Sequence, residues 1–530
     1  MDRQAPPCVG ASPVSLSSPQ LPAAIPTYPC YRVAGMRSVD RLSAEGQRLS
    51  EYELMCKAGE AAFTTLLTHW PTAKRLLVVC GTGNNGGDGW VLAHLAEAAG
   101  LRCDVAMVGD LGKLQGAARQ AFEAWRSDSK QAVGSIDDFL DAASSGQQID
   151  VVVDAMIGIG LSSALRAESR DVIDNINALR RPVLALDVPS GINADTGVSM
   201  GAVIRADVTV TFIALKPGLV TGPALDCVGK VLLETLDTPE SAYAQVAIDA
   251  WVMGTARSNW MQPRNRAAHK GRFGHVLVIG GDTGMGGAAL LAAGAALRSG
   301  AGLVSLATRQ AHVVAALARY PEVMVTGVDD SRRLDAHLSG KQALVVGPGL
   351  GREQWGLDCL QQALCSETPL VIDADALNIV ASGTGDGTLS ERCVLTPHPG
   401  EAGRLAGVTA AAIESDRLSW AERLAQKTGA VVVLKGAGTI IAFPGRNQPS
   451  IIGTGGNPGM ATGGMGDVLA GLIGGLMAQG LEPALATATA VGAHAAAGDV
   501  AWDSAGVGLT ASDVIANLGA VLTASYSGSS

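Results

Sequence analysis

Short runs of consecutive apolar residues alternate along this chain with longer amphipathic stretches, and glycines sit at the joins. From Tyr31 to about Leu236 the runs Leu76–Cys80, Asp104–Val108, Val151–Asp154, Val183–Val188 and Val208–Phe212 read as strands. Between them, Trp90–Ala99, Leu114–Arg126 and Arg170–Ala178 read as helices. Strands that are apolar at nearly every position, separated by helices, predict a parallel sheet covered on both faces. The rhythm lapses from Asp237 to about Asn265, a stretch that contains Pro239 and Pro263, so a domain boundary is expected at residues 240–241. A second series follows: Val276–Ile279, Leu303–Ala307, Ala343–Val346, Leu370–Ile372, Val394–Thr396, Val431–Leu434 and Ile440–Phe443. Three Ala/Gly-rich helices, near Val468–Gln479, Pro483–Asp499 and Ala511–Leu518, close the chain, and their small side chains predict close helix packing.

Composition narrows the partners more than the fold. A chain of 530 residues exceeds one ordinary core, so two or three domains are expected. The net charge of −10 disfavours a nucleic-acid partner, since no basic patch is present to displace counterions. Nine cysteines, an odd number with no C-x-x-C pair, indicate neither a zinc site nor a disulfide framework and point to a reducing, cytoplasmic setting. No uncharged apolar run approaches the roughly 20 residues needed to span a bilayer. Residues 1–28 are rich in Pro, Ser and Ala without a basic start or continuous apolar core, which predicts a disordered leader rather than a secretion signal.

The densest chemistry in the first half is Gly81-Thr82-Gly83-Asn84-Asn85-Gly86-Gly87-Asp88-Gly89, placed between a strand and a helix. Such a junction aims backbone N–H groups and the positive helix end at an anion. Asn84, Asn85 and Asp88 are surplus to a dinucleotide cradle, and a carboxylate there would repel a pyrophosphate. The loop therefore reads as a holder for a polar ligand or a cation, against the plainer possibility of a structural turn. Two further strand ends carry acids: Asp154, followed by Gly158 and Gly160, and Asp187, followed by Ser190. Ligands bind beyond the carboxyl ends of such strands. Convergence of Asn85, Asp154 and Ser190 would supply hard oxygen ligands for a cation and leave Asp187 for proton transfer. Each aspartate taken alone reads as a turn or cap residue.

G-x-G-N-N-G-G-D-G, D-A-x-x-G-x-G and D-x-P-S-G, in this order, resemble the NAD(P)H-hydrate epimerase domain, and Tyr31–Arg37 resembles its start. The resemblance implies that Asn84, Asn85, Gly86, Gly87 and Asp88 bind a hydrated nicotinamide nucleotide. The same role is implied for Gly158, Ile159, Gly160, Leu161, Ser162, Ser163 and Ala164. It further implies that Asn85, Asp154 and Ser190 hold K⁺ and that Asp187 touches the reacting ring.

In the second half the strongest signal is Asn457–Leu469, where glycines lead the backbone to a helix start carrying Asp467. N–H groups there can stabilise a phosphoryl group, and the helix dipole is expected to keep Asp467 ionised near neutrality. A carboxylate so placed orients or deprotonates an accepting hydroxyl; the plainer possibility is a helix cap. Lys435-Gly436-Ala437-Gly438-Thr439 joins two strands and can wrap nucleotide phosphates, though no Walker-type motif is present. His398, fixed between two prolines, Gly347–Gly351 and Asp373–Asn378 complete the rim.

With His269–Gly274, these motifs resemble the ADP-dependent NAD(P)H-hydrate dehydratase domain. The resemblance implies a ribokinase-like fold in which Lys435, Gly436, Ala437, Gly438, Thr439 and Gly466 bind the adenine nucleotide. Gly287, Gly349, His398 and Asp467 would then face the hydrated substrate, with Mg²⁺ accompanying ADP. The fold class expected is α/β: a Rossmann-like doubly wound parallel sheet over 29–240, then a ribokinase-like α/β domain over 241–525. The expected activity is repair of hydrated NAD(P)H by coupled epimerisation and dehydration, with small molecules as ligands and homo-oligomerisation of the chain. The competing expectation is a ribokinase-class small-molecule kinase fused to a non-catalytic nucleotide sensor.

Overall fold

The computed structural model describes residues 26–129, 131–136, 139, 148–254, 260–262, 264–383, 389–445 and 448–523. They form two compact units, one running from Tyr28 to Val252 and the other from Met253 onward together with Pro26 and Thr27. The division falls after Val252 because Glu240–Ala244 is a short helix and Ala250–Met253 a strand, ordered structure in the stretch where alternation fades. Most of the leader expected over residues 1–28 lies outside the described residues. Its end does not: Thr27 and Tyr28 are buried in the strand Thr27–Cys30.

The sheet of the first unit runs Val133–Gly134, Arg102–Met107, Arg75–Cys80, Val151–Ala155, Val183–Leu186, Val208–Phe212, Lys230–Glu234 in spatial order. All of its pairings are parallel. Leu76, Val78 and Cys80 face one apolar cluster while Leu77 and Val79 face another, which is why the strand is apolar without alternation. From Arg75–Cys80 the chain winds outward, then returns to lay Val151–Ala155 on the other side. That reversal leaves a crevice at the strand carboxyl ends.

The second unit repeats the device. Met324–Gly327, Leu303–Thr308, His275–Ile279, Ala343–Val346, Leu370–Ile372, Cys393–Leu395 and Val431–Leu434 are parallel neighbours in that order. Thr439–Ala442 and Ser450–Gly453 continue the sheet antiparallel. The reversal here lies between His275–Ile279 and Ala343–Val346. Helices Gly286–Arg298 and Met465–Ala478 pack backbone to backbone, with Gly471 against the Ala292 carbonyl. Among the described residues, no helix is long and apolar enough to cross a membrane.

Candidate active sites

In the first crevice, strand Arg75–Cys80 ends at Gly81, whose N–H donates to the Ala155 carbonyl at 3.0 Å. A Cβ on Gly81 would overlap the Met156 carbonyl oxygen, and one on Gly86 the Gly81 carbonyl oxygen. Only glycine allows this approach of backbone to backbone. The helix expected from Trp90 begins at Asn84, capped by Gly83, so the amide-rich motif forms its first turns instead of a preceding loop. Asn84 is exposed, whereas Asn85, Gly86, Gly87 and Asp88 are buried. Gly87 packs on Met55 and Ala118, a contact with the neighbouring helices.

Asn85 is 8% exposed, yet neither its Oδ1 nor its Nδ2 has a hydrogen-bond partner. Leaving an amide buried and unpaired costs about 1–3 kcal/mol, which makes this side chain a candidate ligand group. Fully buried Asp154 accepts the Ser190 hydroxyl at 2.6 Å, the Ser190 N–H at 2.7 Å and the Met156 N–H at 3.2 Å. Burial pushes its carboxyl up to about 6, and the bonds from Ser190 and Met156 oppose the rise. Ser190 Oγ accepts the Ile157 N–H at 2.9 Å, tying the two strand-end loops together. A Cβ built on Gly158 would lie 2.9 Å from Asp187 Oδ2 and 3.3 Å from Asn85 Cγ, so Gly158 is the spacer between carboxylate and amide. Gly160, Ser162, Ser163 and Ala164 are exposed beyond it, and Ile159 and Leu161 are partly buried; the stretch is the outer wall, and Gly158 belongs to the floor.

The side chains of Asn85, Asp154 and Ser190 fit a monovalent cation: they are hard oxygen donors in a dry setting, one of them orphaned. Among the described residues no group of three or more His, Cys, Asp and Glu is placed to hold a metal ion.

Asp187 occupies the left-handed region at φ 61°. Its Oδ1 is 2.6 Å from the ammonium of Lys216, which also donates to Thr211 Oγ1 at 2.8 Å and the Phe212 carbonyl at 2.9 Å. Two more carboxyls crowd this pair. Asp88 is pushed well above the usual carboxylate range by burial and by the charges of Asp187 and Asp40, with Lys216 opposing. Asp40, on the helix Val33–Gln47, is pushed up to about 7, chiefly by burial. Sequence reasoning missed Lys216, Thr211 and Asp40. A lysine closing the apolar run Val208–Leu215 was the available signal for the first.

The second crevice is assembled from five strand ends. Gly281 N–H donates to the Pro348 carbonyl at 3.0 Å and Asp282 N–H to the Gly349 carbonyl at 2.6 Å, so the loops after His275–Ile279 and Ala343–Val346 are zipped together. Gly349, at φ 58°, lies against Met285, and a Cβ on Gly287 would meet only open space. Asp373, 1% exposed, accepts from Lys435 Nζ at 2.8 Å and from Thr396 Oγ1 at 2.6 Å. Glu401 Oε2 is 3.8 Å from the same ammonium. Gly466 abuts it too, since a Cβ there would sit 3.0 Å from Lys435 Nζ.

Asp467 stands in the first turn of Met465–Ala478. Burial, then the charge of Asp373, with smaller additions from Asp375 and Glu401, push its carboxyl up to about 7, and Lys435 opposes the rise. Burial and the neighbouring carboxylates thus act against the helix N-terminus, which favours the ionised form. His398 caps the helix Pro399–Ala406, its Nδ1 accepting the Gly400 N–H at 3.0 Å while Glu401 accepts the His398 N–H at 2.8 Å. Burial first and then Lys435 lower its pKa, which favours the neutral ring, and its Nε2 lies 3.5 Å from Glu401 Oε1. The turn Lys435–Thr439 places Gly436 and Gly438 at φ 135° and 65°. Arg417, 2% exposed and unnoticed in the sequence, donates to the Lys435 carbonyl at 3.2 Å and braces this turn from below.

Two family models match the chain: a YjeF-related protein N-terminus over residues 51–218 and NAD(P)H-hydrate dehydratase over residues 276–519. The bifunctional NAD(P)H-hydrate repair enzyme Nnr of Coxiella burnetii is 43% identical, covering 92% of this chain and 98% of its own. The Escherichia coli enzyme of the same name is 41% identical, covering 94% of each. Among solved structures, ADP/ATP-dependent NAD(P)H-hydrate dehydratase from Bacillus subtilis, co-crystallised with ATP/Mg²⁺, is 28% identical over 51% of this chain and 98% of its own, at a TM-score of 0.44. With similarity of this extent running through both units, the chain belongs to the family of bifunctional NAD(P)H-hydrate repair enzymes.

Proposed function

We propose that the first unit interconverts the R and S forms of hydrated NAD(P)H, and that the second dehydrates the S form at the expense of ADP, giving AMP and phosphate. The observation that carries this is the pairing of two separate strand-end crevices, each with a glycine-built cradle and its own carboxyl group. In the first, the ring nitrogen lone pair of the hydrate expels hydroxide from carbon 6. Water then returns to either face of the iminium. Asp187 orients that water, takes its proton and passes it to the expelled hydroxide, which leaves as water, with Asn84–Asp88 and Gly158–Ala164 holding the nucleotide. K⁺ at Asn85, Asp154 and Ser190 would supply a fixed positive charge beside the nucleotide.

In the second, backbone N–H groups around Gly466 and the Lys435–Thr439 turn hold the phosphates of ADP. Asp467 accepts the proton of the ring hydroxyl as that oxygen takes the phosphoryl group, a task for which a carboxyl near pKa 7 is suited. Phosphate then leaves in place of hydroxide, and loss of the neighbouring ring proton restores the dihydronicotinamide. Gly287, Gly349 and His398 line the hydrate side. Mg²⁺, bound with the nucleotide, would neutralise phosphate charge. We place the enzyme in the cytoplasm, as a homo-oligomer acting on small molecules.

The test mixes the protein with chemically hydrated NADH, ADP and Mg²⁺ and follows the return of the dihydronicotinamide absorbance. Asp187→Ala should recover only the S portion, and Asp467→Ala neither. Full recovery of both epimers by Asp187→Ala, with spontaneous epimerisation subtracted, would remove the first unit from the reaction.

A further inference from the structure

Lys216 belongs to no motif by which the first crevice was recognised, yet the geometry around it is specific. Its side chain is 2% exposed, and it lies at the base of the crevice just before the short helical turn Pro217–Leu219. An ammonium this deeply placed is tolerated only when its hydrogens are paired. All three are: one to Asp187 Oδ1, one to Thr211 Oγ1 and one to the Phe212 carbonyl. No donor is left for a ligand, so Lys216 does not contact substrate.

The two oxygens of Asp187 are consequently unequal. Oδ1 is tied to Lys216 at 2.6 Å. Oδ2 is the atom nearest a Cβ built on Gly158, at 2.9 Å, on the side where Asn85 also lies. The backbone contributes as well: the Asp187 N–H donates to the Val210 carbonyl at 2.7 Å, and φ at 61° turns the side chain off the line of its strand. Left to itself, a carboxylate with one free torsion at its end rotates and presents either oxygen. Pinning Oδ1 removes that freedom.

We infer that Lys216 is a positioning residue of the epimerisation reaction: by clamping Asp187 Oδ1 it presents Oδ2 alone to the water that adds to carbon 6 of the ring. Thr211 is the second strut, since its hydroxyl accepts from the same ammonium. This rests on the first unit being the epimerase. Orientation of a reacting group, rather than affinity, is what the clamp supplies, so its loss falls on kcat and spares KM.

The experiment uses the full chain, purified R-hydrate, ADP and Mg²⁺, with dehydration in excess so that epimerisation limits the return of absorbance. Lys216→Met is expected to lower the epimerisation kcat about 10²-fold with KM within about twofold, and Lys216→Arg to restore part of the loss. Asp187→Asn alone should fall as far. Adding Lys216→Met to it should cost nothing further, because the lysine acts only through the carboxylate. Dehydration of pure S-hydrate should stay at the wild-type rate in every variant. Should Lys216→Met not fold, Thr211→Val keeps both charges and tests the same clamp: a smaller kcat loss, absent in the Asp187→Asn background. Wild-type epimerisation by Lys216→Met, a loss confined to KM, or losses that multiply in the double variant would overturn the inference. Failure of the unaltered enzyme to use R-hydrate would overturn the epimerase assignment instead.

Discussion

Dehydration by the second unit should fade as the solution turns mildly acidic. Under the proposed mechanism Asp467 is the base, and its carboxyl is pushed up to about 7 by burial and by Asp373, with Lys435 opposing. A base must be ionised to accept a proton, so the rate follows the ionised fraction, about 10% at pH 6 and about 90% at pH 8. Lys435→Met removes the opposing cation and should move the acid limb up by about one unit, the usual influence of an opposite charge within a few ångströms. Stability runs the other way. Because the folded carboxyl holds its proton more tightly than the unfolded one, its contribution is fully present below the ordinary value of 3.8 and declines as pH rises through about 7. The assay supplies purified S-hydrate with saturating ADP and Mg²⁺ and records the initial rise of dihydronicotinamide absorbance from about pH 5.5 to 8.5. A flat profile, an acid limb near the ordinary carboxylate value, or a limb that ignores Lys435→Met would each refute Asp467 as the base.

Further outcomes follow from other contacts. KCl, but not choline chloride, should raise the thermal midpoint of the first unit, and Asn85→Ala should abolish the difference, as read by differential scanning fluorimetry. Gly81→Ala drives a methyl group into the Met156 carbonyl and should cost about 1–3 kcal/mol or prevent folding of the first unit, measured by urea unfolding. Arg417→Met leaves the Lys435 carbonyl without its brace, so the KM for ADP should rise several-fold while kcat with saturating ADP is retained.

Much of this architecture was legible because it depends on local patterning. Ala343–Val346, Val208–Phe212 and Val431–Leu434 are buried on both faces, and a strand so placed has to be apolar throughout. Edge strands such as Met324–Gly327 and Val133–Gly134 escaped notice, being short and only partly buried. Asn84–Gly89 was not legible as helix, because glycine is a poor helix former and what holds these residues helical is packing that lies outside the segment, Gly87 on Met55 and Ala118, next to the fully buried Trp90. Asp154, Asp187 and Ser190 declared themselves by standing at strand ends. Lys216 and Arg417 did not, because a buried cation is justified only by partners distant in sequence, and no local spacing encodes these. Asp467 shows the same limit in its protonation: the helix start was visible, but the crowd of Asp373, Asp375 and Glu401 around it was not.

The glycines at the two crevices bear on how such an enzyme can be altered. Gly81 rests on Met156, Gly86 on Gly81, Gly280 on Pro348 and Gly347 on Asp373, main chain against main chain, like overlapping roof tiles. A surface tiled this way offers an engineer almost no interchangeable side chains, and displacing one tile lifts its neighbour. Substitutions are more readily accommodated at the exposed margins, Gly160, Ser162 to Ala164 and Met285, where a changed side chain meets solvent. A screen of random variants for lost repair should return glycine codons in excess of their number.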